Sequence, residues 1–449
     1  MANRYPTFET VNFYAGGRLN RASWLRESSV YLNQALVQPD TKFVLLSNGN
    51  PLVHRNDRAN RLALFSWKDV EATVMRTVRR VAPDATSVFG AEAYALRKKG
   101  DAEGKHWLRS TQGILAPALS LAFLGILEDD AQRPHMQTFP DCKERALAVP
   151  AGAPCFALSL SYRPPNVAQS EVLPGGELRD ALVADDAPYD ELNMRTVILT
   201  GALERNDAAV IAYARALIDW NERFTFCAAC GSRQYSVWGS HKRACASVLA
   251  KLADGRPAFV EALYPAEPPA TLCPSVQSVQ NYSYPRSDPV IIVGILSADK
   301  EHILLGRQKT WPKGFYSCIA GFVEPGESLE DAVRREALEE TGIRVDHVAY
   351  HSSQPWPFPA NLIFGAFGLA SQASNEIRLD LDAELEDAFF ASRQDVLAAV
   401  EATEQKDRAS SEKRPTRHGH RYFVPPPSAI AHVLLASWAR GDALLQGKL

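Results

Sequence analysis

The chain has 449 residues, 46% hydrophobic and 22% charged, a globular composition with room for roughly two to four domains. Its 49 Lys and Arg against 52 Asp and Glu leave a formal net charge of -3, which excludes a global basic field drawing in nucleic acid regardless of sequence. No apolar run of about 18 residues is present and the opening MANRYPTFETVNFYAGG lacks the apolar core of a signal peptide, so a soluble intracellular protein is expected.

Residues 1 to about 200 carry short strand-like runs (KFVLLSN, RLALFSW, CFALSLSYRP) separated by turn signals such as NGNP at Asn48 to Pro51, and no catalytic motif. From Thr196, the apolar spacing of VILTGALERNDAAVIAYARALIDWNERF predicts a helix that serves as a connector. Seven cysteines are too sparse for a disulfide scaffold, and four of them cluster, which favours a metal. Cys142, Cys155 and Cys318 read as small buried residues. Cys227 and Cys230 form the knuckle CAACG and Cys245 follows in HKRAC; tetrahedral Zn²⁺ then needs a fourth ligand. Cys273 can supply it if the Pro-rich tract GRPAFVEALYPAEPPATL loops out. His241 is the rival, although HKR reads as an exposed strand. A redox CxxC is disfavoured because no thioredoxin-like βαβ pattern surrounds it.

DPVIIVGILS reads as a buried strand that opens a new domain of alternating strands and helices. In the stretch GFVEPGESLEDAVRREALEETGI, Ser328 and Asp331 are spaced as a capping box and Gly342 suits a helix stop, predicting a helix over Leu329 to Thr341. Leu329, Ala332, Val333 and Ala337 form its apolar stripe; Glu336 and Glu340 project near the centre of that stripe, with Glu339 one step round. Carboxylates there need compensation, and all-oxygen ligands favour Mg²⁺ or Mn²⁺. The alternative is a solvent-facing helix laced with ion pairs to Arg334 and Arg335. Further on, three prolines in SQPWPFP (Ser353 to Pro359) fix a rigid path for Trp356 and Phe358, a rim suited to a flat ring, while Gln354 either reads polar edges or holds the loop. The charged tract EQKDRASSEKRPTRHGHR reads as a mobile surface loop, after which SAIAHVLLASWARGDALL resumes helical spacing.

The stretch from Gly321 resembles the Nudix box, with Gly321, Glu327, Arg335, Glu336, Glu339, Glu340 and Gly342 at its fixed positions and Ala337 and Ile343 at its apolar ones. The resemblance implies hydrolysis of a diphosphate by the set Glu327, Arg335, Glu336, Glu339 and Glu340. In it, Glu336, Glu339 and Glu340 hold Mg²⁺ or Mn²⁺, and Arg335 orients Glu327 or a ligand. ELEDAFFASR resembles the segment that sends a further acid to the metal, which nominates Glu384, with Phe390 and Ala391 departing from the usual aromatic pattern.

SQPWPFP after such a box resembles the array that marks the NADH pyrophosphatase subfamily, with Asn361 where serine is common. That resemblance implies cleavage of NADH to reduced nicotinamide mononucleotide and AMP, or removal of NAD caps from RNA 5′ ends. Gln354, Trp356, Phe358 and, from SAIAH, Ala431 would be the substrate contacts. A structural zinc ribbon on Cys227, Cys230, Cys245 and Cys273 and a homodimer are also implied. A non-catalytic NAD sensor or scaffold is the competing class, and it predicts lost metal ligands.

The implied fold is α+β: an N-terminal β-rich Nudix-like domain over 1–200, a helical connector over 201–221, a zinc ribbon with an insert over 222–288, and a catalytic Nudix α/β/α sandwich over 289–449. The final Gly447, Lys448 and Leu449 resemble the peroxisomal SKL signal, so peroxisome or cytoplasm is expected.

Overall fold

The computed structural model describes residues 10–55, 60–80, 83–90, 119–128, 136–140, 146–164, 167–200, 203–246, 273, 282–372, 376–405 and 414–441. Cys142, the Pro-rich tract at 255–272, residues 406–413 of the charged tract, and Gly447 to Leu449 lie outside them. The chain divides into two compact units, one of Gly17–Asn193 with Val210–Arg286, the other of Met1–Gly16, Met194–Ala209 and Ser287–Leu449. Among the described residues no helix is long and apolar enough to cross a membrane.

In the first unit, strands β1 (Leu19–Asn20), β2 (Lys42–Ser47), β3 (Asn50–His54), β4 (Leu64–Phe65), β5 (Leu121–Leu127), β8 (Ala153–Ser159) and β9 (Tyr189–Glu191) form one sheet in the order β1-β5-β8-β2-β3-β9, with β4 on β2. The strands β6 (Met136–Pro140) and β7 (Ala146–Pro150) pair with each other. Helices α1 (Ser29–Leu36), α2 (Trp67–Arg79) and α3 (Pro174–Leu182) accompany them. The runs KFVLLS and CFALS are apolar without alternation because β2 and β8 pair in parallel at the sheet centre, where both faces are covered. The NGNP turn joins β2 to β3 through Asn48 and Gly49, both left-handed at φ 48° and 75°. RLALFSW is only partly a strand: Ser66 ends it by capping α2, its backbone N–H donating to Asp69 at 2.7 Å.

The expected connector is two helices, α4 (Met194–Thr200) and α5 (Arg205–Arg223). The break has a local cause: Glu204 accepts backbone N–H bonds from Asn206 and Asp207 at 2.9 and 3.2 Å and so starts a second helix. Most of α5 is packed, with Ile211, Ala214, Leu217 and Trp220 all buried. Strands β10 (Gln234–Val237), β11 (Lys242–Cys245) and β12 (Tyr282–Ser283) follow as a small antiparallel sheet. Contrary to expectation, HKR is not an exposed strand. His241 and Arg243 are buried, and Arg243 donates to Asn221 O, Ser236 Oγ and Gln234 O at 2.9, 3.0 and 2.9 Å, bonds that offset its desolvation.

The other unit is the sandwich. Its sheet, in the order β16-β17-β13-β14-β18 with β15 on β13, is built from β13 (Asp288–Leu296), β14 (His302–Gln308), β15 (Ile319–Phe322), β16 (Val345–Trp356), β17 (Asn361–Ala370) and β18 (Leu385–Ser392). Only β13 and β17 run parallel among these pairs. Residues of β13 alternate between two cores. Ile291, Val293 and Ile295 pack with Ala332, Val333 and Ala337 of α6 (Leu329–Thr341). Ile292 and Leu296 pack with Val396 of α7 (Arg393–Gln405) and Leu434 of α8 (Ile430–Arg440). Part of the charged tract is ordered rather than loop: β19 (Thr416–Arg417) and β20 (His420–Arg421) form a hairpin. Arg417 anchors it through two bonds to Asp387 at 3.1 and 3.0 Å.

Candidate active site

Strand register gathers the acids and the aromatic rings at one end of the sheet. Gly321 lies opposite Ile291 near the start of β13, while Asp288 faces Asn361, itself opposite Trp356 at the tip of the β16–β17 hairpin. Gln308 closes β14 at the same end, where its amide donates to Glu384 just before β18.

Helix α6 spans Leu329–Thr341 as the capping pattern predicts: Ser328 Oγ accepts from Asp331 N at 3.2 Å, and Gly342 ends the helix at φ 72°. Its acids divide by exposure. Glu340 is 4% exposed, the Glu336 side chain 13% and that of Glu339 47%. Ion pairs do lace the helix, Arg334 with Asp331 at 3.6 Å and Arg335 with Glu339 at 3.0 Å, but Glu336 and Glu340 are turned inward. Gly321 is required by this arrangement, because a Cβ there would stand 1.9 Å from Glu336 Oε1.

Arg335 ties the acids together. Its guanidinium holds Glu327 in a two-bond fork at 2.6 and 3.0 Å, reaches Glu336 and Glu339 at 2.9 and 3.0 Å, and caps Phe322 O at 2.7 Å. The Arg335 fork and the Glu324 N–H together hold the Glu327 carboxyl below its usual range. Glu336 and Glu340 move the other way. Burial raises Glu336 despite Arg335. Burial, then repulsion from Glu384, Glu336, Asp382 and Glu339, pushes Glu340 up to about 8. Glu384 is exposed, yet its charge acts on Glu340 more strongly than that of any other acid, so it shares that acid's field. A buried carboxylate whose neighbours are carboxylates fits a divalent cation, whose charge would offset these unfavourable interactions. Glu336, Glu339, Glu340 and Glu384 are the acids that could hold it, the first and third on the inner side of α6 and the other two exposed. The acids are spaced more widely than the cysteine sulfurs, which are the tight donor cluster among the described residues.

Trp356 and Phe358 are partly exposed and meet edge to face, with centroids 5.3 Å apart. Two of the expected substrate contacts are buried side chains. Gln354 is 1% exposed; its amide nitrogen donates to Phe13 O and Ser428 O at 3.0 and 2.9 Å and its oxygen accepts from Ile430 N at 2.8 Å, so it holds the loop and has no edge left to read a base. Ala431 is buried in the core beneath α8, because the helix turns that position toward the sheet. Phe390 packs partly buried beside the α6 core and Ala391 lies buried opposite Ile303. Residue patterns gave no hint of Gln308, whose link to Glu384 spans 76 positions, or of Asp382, whose backbone N–H donates to Glu339 O at 3.1 Å.

The sulfurs of Cys227, Cys230, Cys245 and Cys273 all lie within 4.8 Å of one another, with Cys227–Cys273 at 3.6 Å and Cys230–Cys245 at 3.5 Å. Such spacings match the edges of a tetrahedron with sulfur about 2.3 Å from its centre and are far longer than a disulfide of about 2.05 Å. The set is compatible with Zn²⁺, three of its cysteines buried and Cys230 exposed. His241, the rival ligand, points elsewhere: Nε2 meets the Tyr213 hydroxyl, Nδ1 lies 3.1 Å from Gly239 O, and burial lowers its pKa. Cys155 and Cys318 are buried, and burial pushes both thiols up to about 12.

Residues 285–413 match the family described as NUDIX domain, and residues 40–220 match the NADH pyrophosphatase-like rudimentary NUDIX domain. The chain is 31% identical over 431 residues to an NAD-capped RNA hydrolase of Schizosaccharomyces pombe, spanning 96% of this chain and 93% of that protein. It is 30% identical over 340 residues to the human mitochondrial NAD(P)H pyrophosphatase NUDT13, covering 73% of this chain and 80% of that one. To human NAD-capped RNA hydrolase NUDT12 it is 40% identical over 238 residues, which are 53% of this chain and 43% of that longer relative. The chain belongs to the Nudix hydrolases, in the NADH pyrophosphatase-like family.

Proposed function

We propose that this Nudix hydrolase cleaves the central diphosphate of NADH, and of NAD, to the nicotinamide mononucleotide and AMP. The observation that carries this reading is the convergence of Glu336, Glu340 and Glu384 with the Trp356–Phe358 rim at one end of the sheet. Bound Mg²⁺ or Mn²⁺ would neutralise the diphosphate and lower the pKa of a water. The remaining work falls to the chain. The rings stack on a flat base, Arg335 keeps Glu327, Glu336 and Glu339 in place, and an acid of the cluster accepts a proton. Water oxygen bonds to one phosphorus, and the bridging oxygen leaves with the other phosphate.

Incubation with NADH and Mg²⁺, with the products separated by chromatography, is expected to release equal amounts of AMP and reduced nicotinamide mononucleotide. Uncut NADH would sink the reading for the free dinucleotide. A second reading, cleavage of the same diphosphate in the NAD cap of an RNA 5′ end to release nicotinamide mononucleotide and leave a 5′-monophosphate RNA, is favoured by the name of the relative that matches nearly the whole chain. It predicts faster turnover of NAD-capped RNA than of NADH by the same acids.

The division into an N-terminal Nudix-like domain, helical connector, zinc ribbon and catalytic domain belongs to the same proposal. For the ribbon, Cys245→Ser is expected to abolish bound zinc measured by elemental analysis and to lower the melting temperature, because a closed Zn²⁺ site contributes folding free energy directly. Full zinc occupancy in that variant would remove Cys245 from the ligand set.

A further inference from the structure

The turn Asn12–Ala15 belongs to the same unit as the catalytic sheet and packs against the back of the aromatic rim. Asn12 Nδ2 donates to Ser352 Oγ at 3.0 Å and to Ser353 O at 2.8 Å, across 340 and 341 residues of sequence. Gln354 joins Phe13 O to Ser428 O and Ile430 N, so one buried amide links this turn, β16 and the start of α8. Between these anchors Tyr14, 2% exposed, sits edge-on to both rim residues, its centroid 6.1 Å from Trp356 at 85° and 6.5 Å from Phe358 at 76°. Its backbone is left-handed at φ 69°, a conformation that costs free energy for a bulky residue and persists only where surrounding bonds enforce it. The two rim rings are partly exposed, whereas the ring behind them is buried.

We propose that Asn12–Tyr14 is the rear wall of the dinucleotide site, with Tyr14 a positioning residue that sets the angle at which Trp356 and Phe358 present their faces to a base or nicotinamide ring. This rests on the diphosphatase reading of the site. Tyr14 acts through the two rim rings it packs against, so its removal alters how tightly the ring end is held and leaves the bond-breaking step largely as it was. Such a change raises KM at nearly constant kcat.

The experiment compares steady-state NADH hydrolysis by the full chain and its Tyr14→Ala, Tyr14→Leu and Tyr14→Phe variants. Loss of two edge-to-face contacts is expected to raise KM about tenfold in the Ala and Leu variants, with kcat within about twofold, while Phe keeps both ring contacts and stays near the parent. Unchanged KM in Leu, a fall in kcat at unchanged KM, or a Phe variant as impaired as Leu would each overturn the proposal; should Ala fail to fold, Leu against Phe decides. If the parent protein leaves NADH uncut, the diphosphatase reading alone fails. Calorimetric binding of NAD without added Mg²⁺ then decides: weaker binding by Leu than by Phe supports the rear wall, and equal binding refutes it.

Discussion

Glu340→Gln is expected to leave the fold intact and to cut hydrolysis at least about 100-fold, the scale of losing metal-based activation and proton transfer. Glutamine keeps the shape of a side chain that is 4% exposed, so the loss is one of charge and not of packing. The same variant has a second signature. Burial and the surrounding acids raise Glu340 from the ordinary 4.5 to about 8, so between those values the folded metal-free protein holds a proton that the unfolded chain lacks. Stability from this group is therefore present at low pH and declines as pH rises toward 8. Melting without added divalent cation at about pH 5 and about pH 8 is expected to show that decline in the parent protein and a flatter profile in Glu340→Gln. Mg²⁺ is expected to protect the parent at the higher pH. Parent-like activity in the variant would exclude Glu340 as a metal ligand.

Arg335→Ala is expected to weaken activation by Mg²⁺ by about 10- to 100-fold, the range seen when groups that orient metal ligands are removed. One guanidinium serves Glu327, Glu336, Glu339 and Phe322 O, and all four lose their donor at once. Lysine restores the charge but not the fork, so Arg335→Lys is expected to recover only part of the loss. The measurement is the Mg²⁺ concentration for half-maximal rate at saturating NADH. An unshifted midpoint with a uniformly lower rate would mean that Arg335 acts on substrate and not through the acids.

What residue order alone determined is local. The limits of α6 follow from Ser328, Asp331 and Gly342, and the inward placing of Glu336 and Glu340 follows from helical spacing within one element. The cysteine knuckle and the proline-stiffened ring loop were legible for the same reason, since each depends on neighbours a few positions away.

Other features waited for tertiary structure. Gln354 was open to two roles until Phe13, Ser428 and Ile430 were seen to consume its amide. Ala431 looked available until α8 turned it into the core, and HKR looked exposed until Asn221 and Ser236 arrived to satisfy Arg243. The hairpin at Thr416–Arg421 needed Asp387 as its anchor. Capping and periodicity are set by residues within a turn or two. Desolvation, hydrogen-bond satisfaction and pKa depend on which distant segments are laid against a side chain, as Asn12 on Ser352 illustrates, and no local pattern encodes that contact.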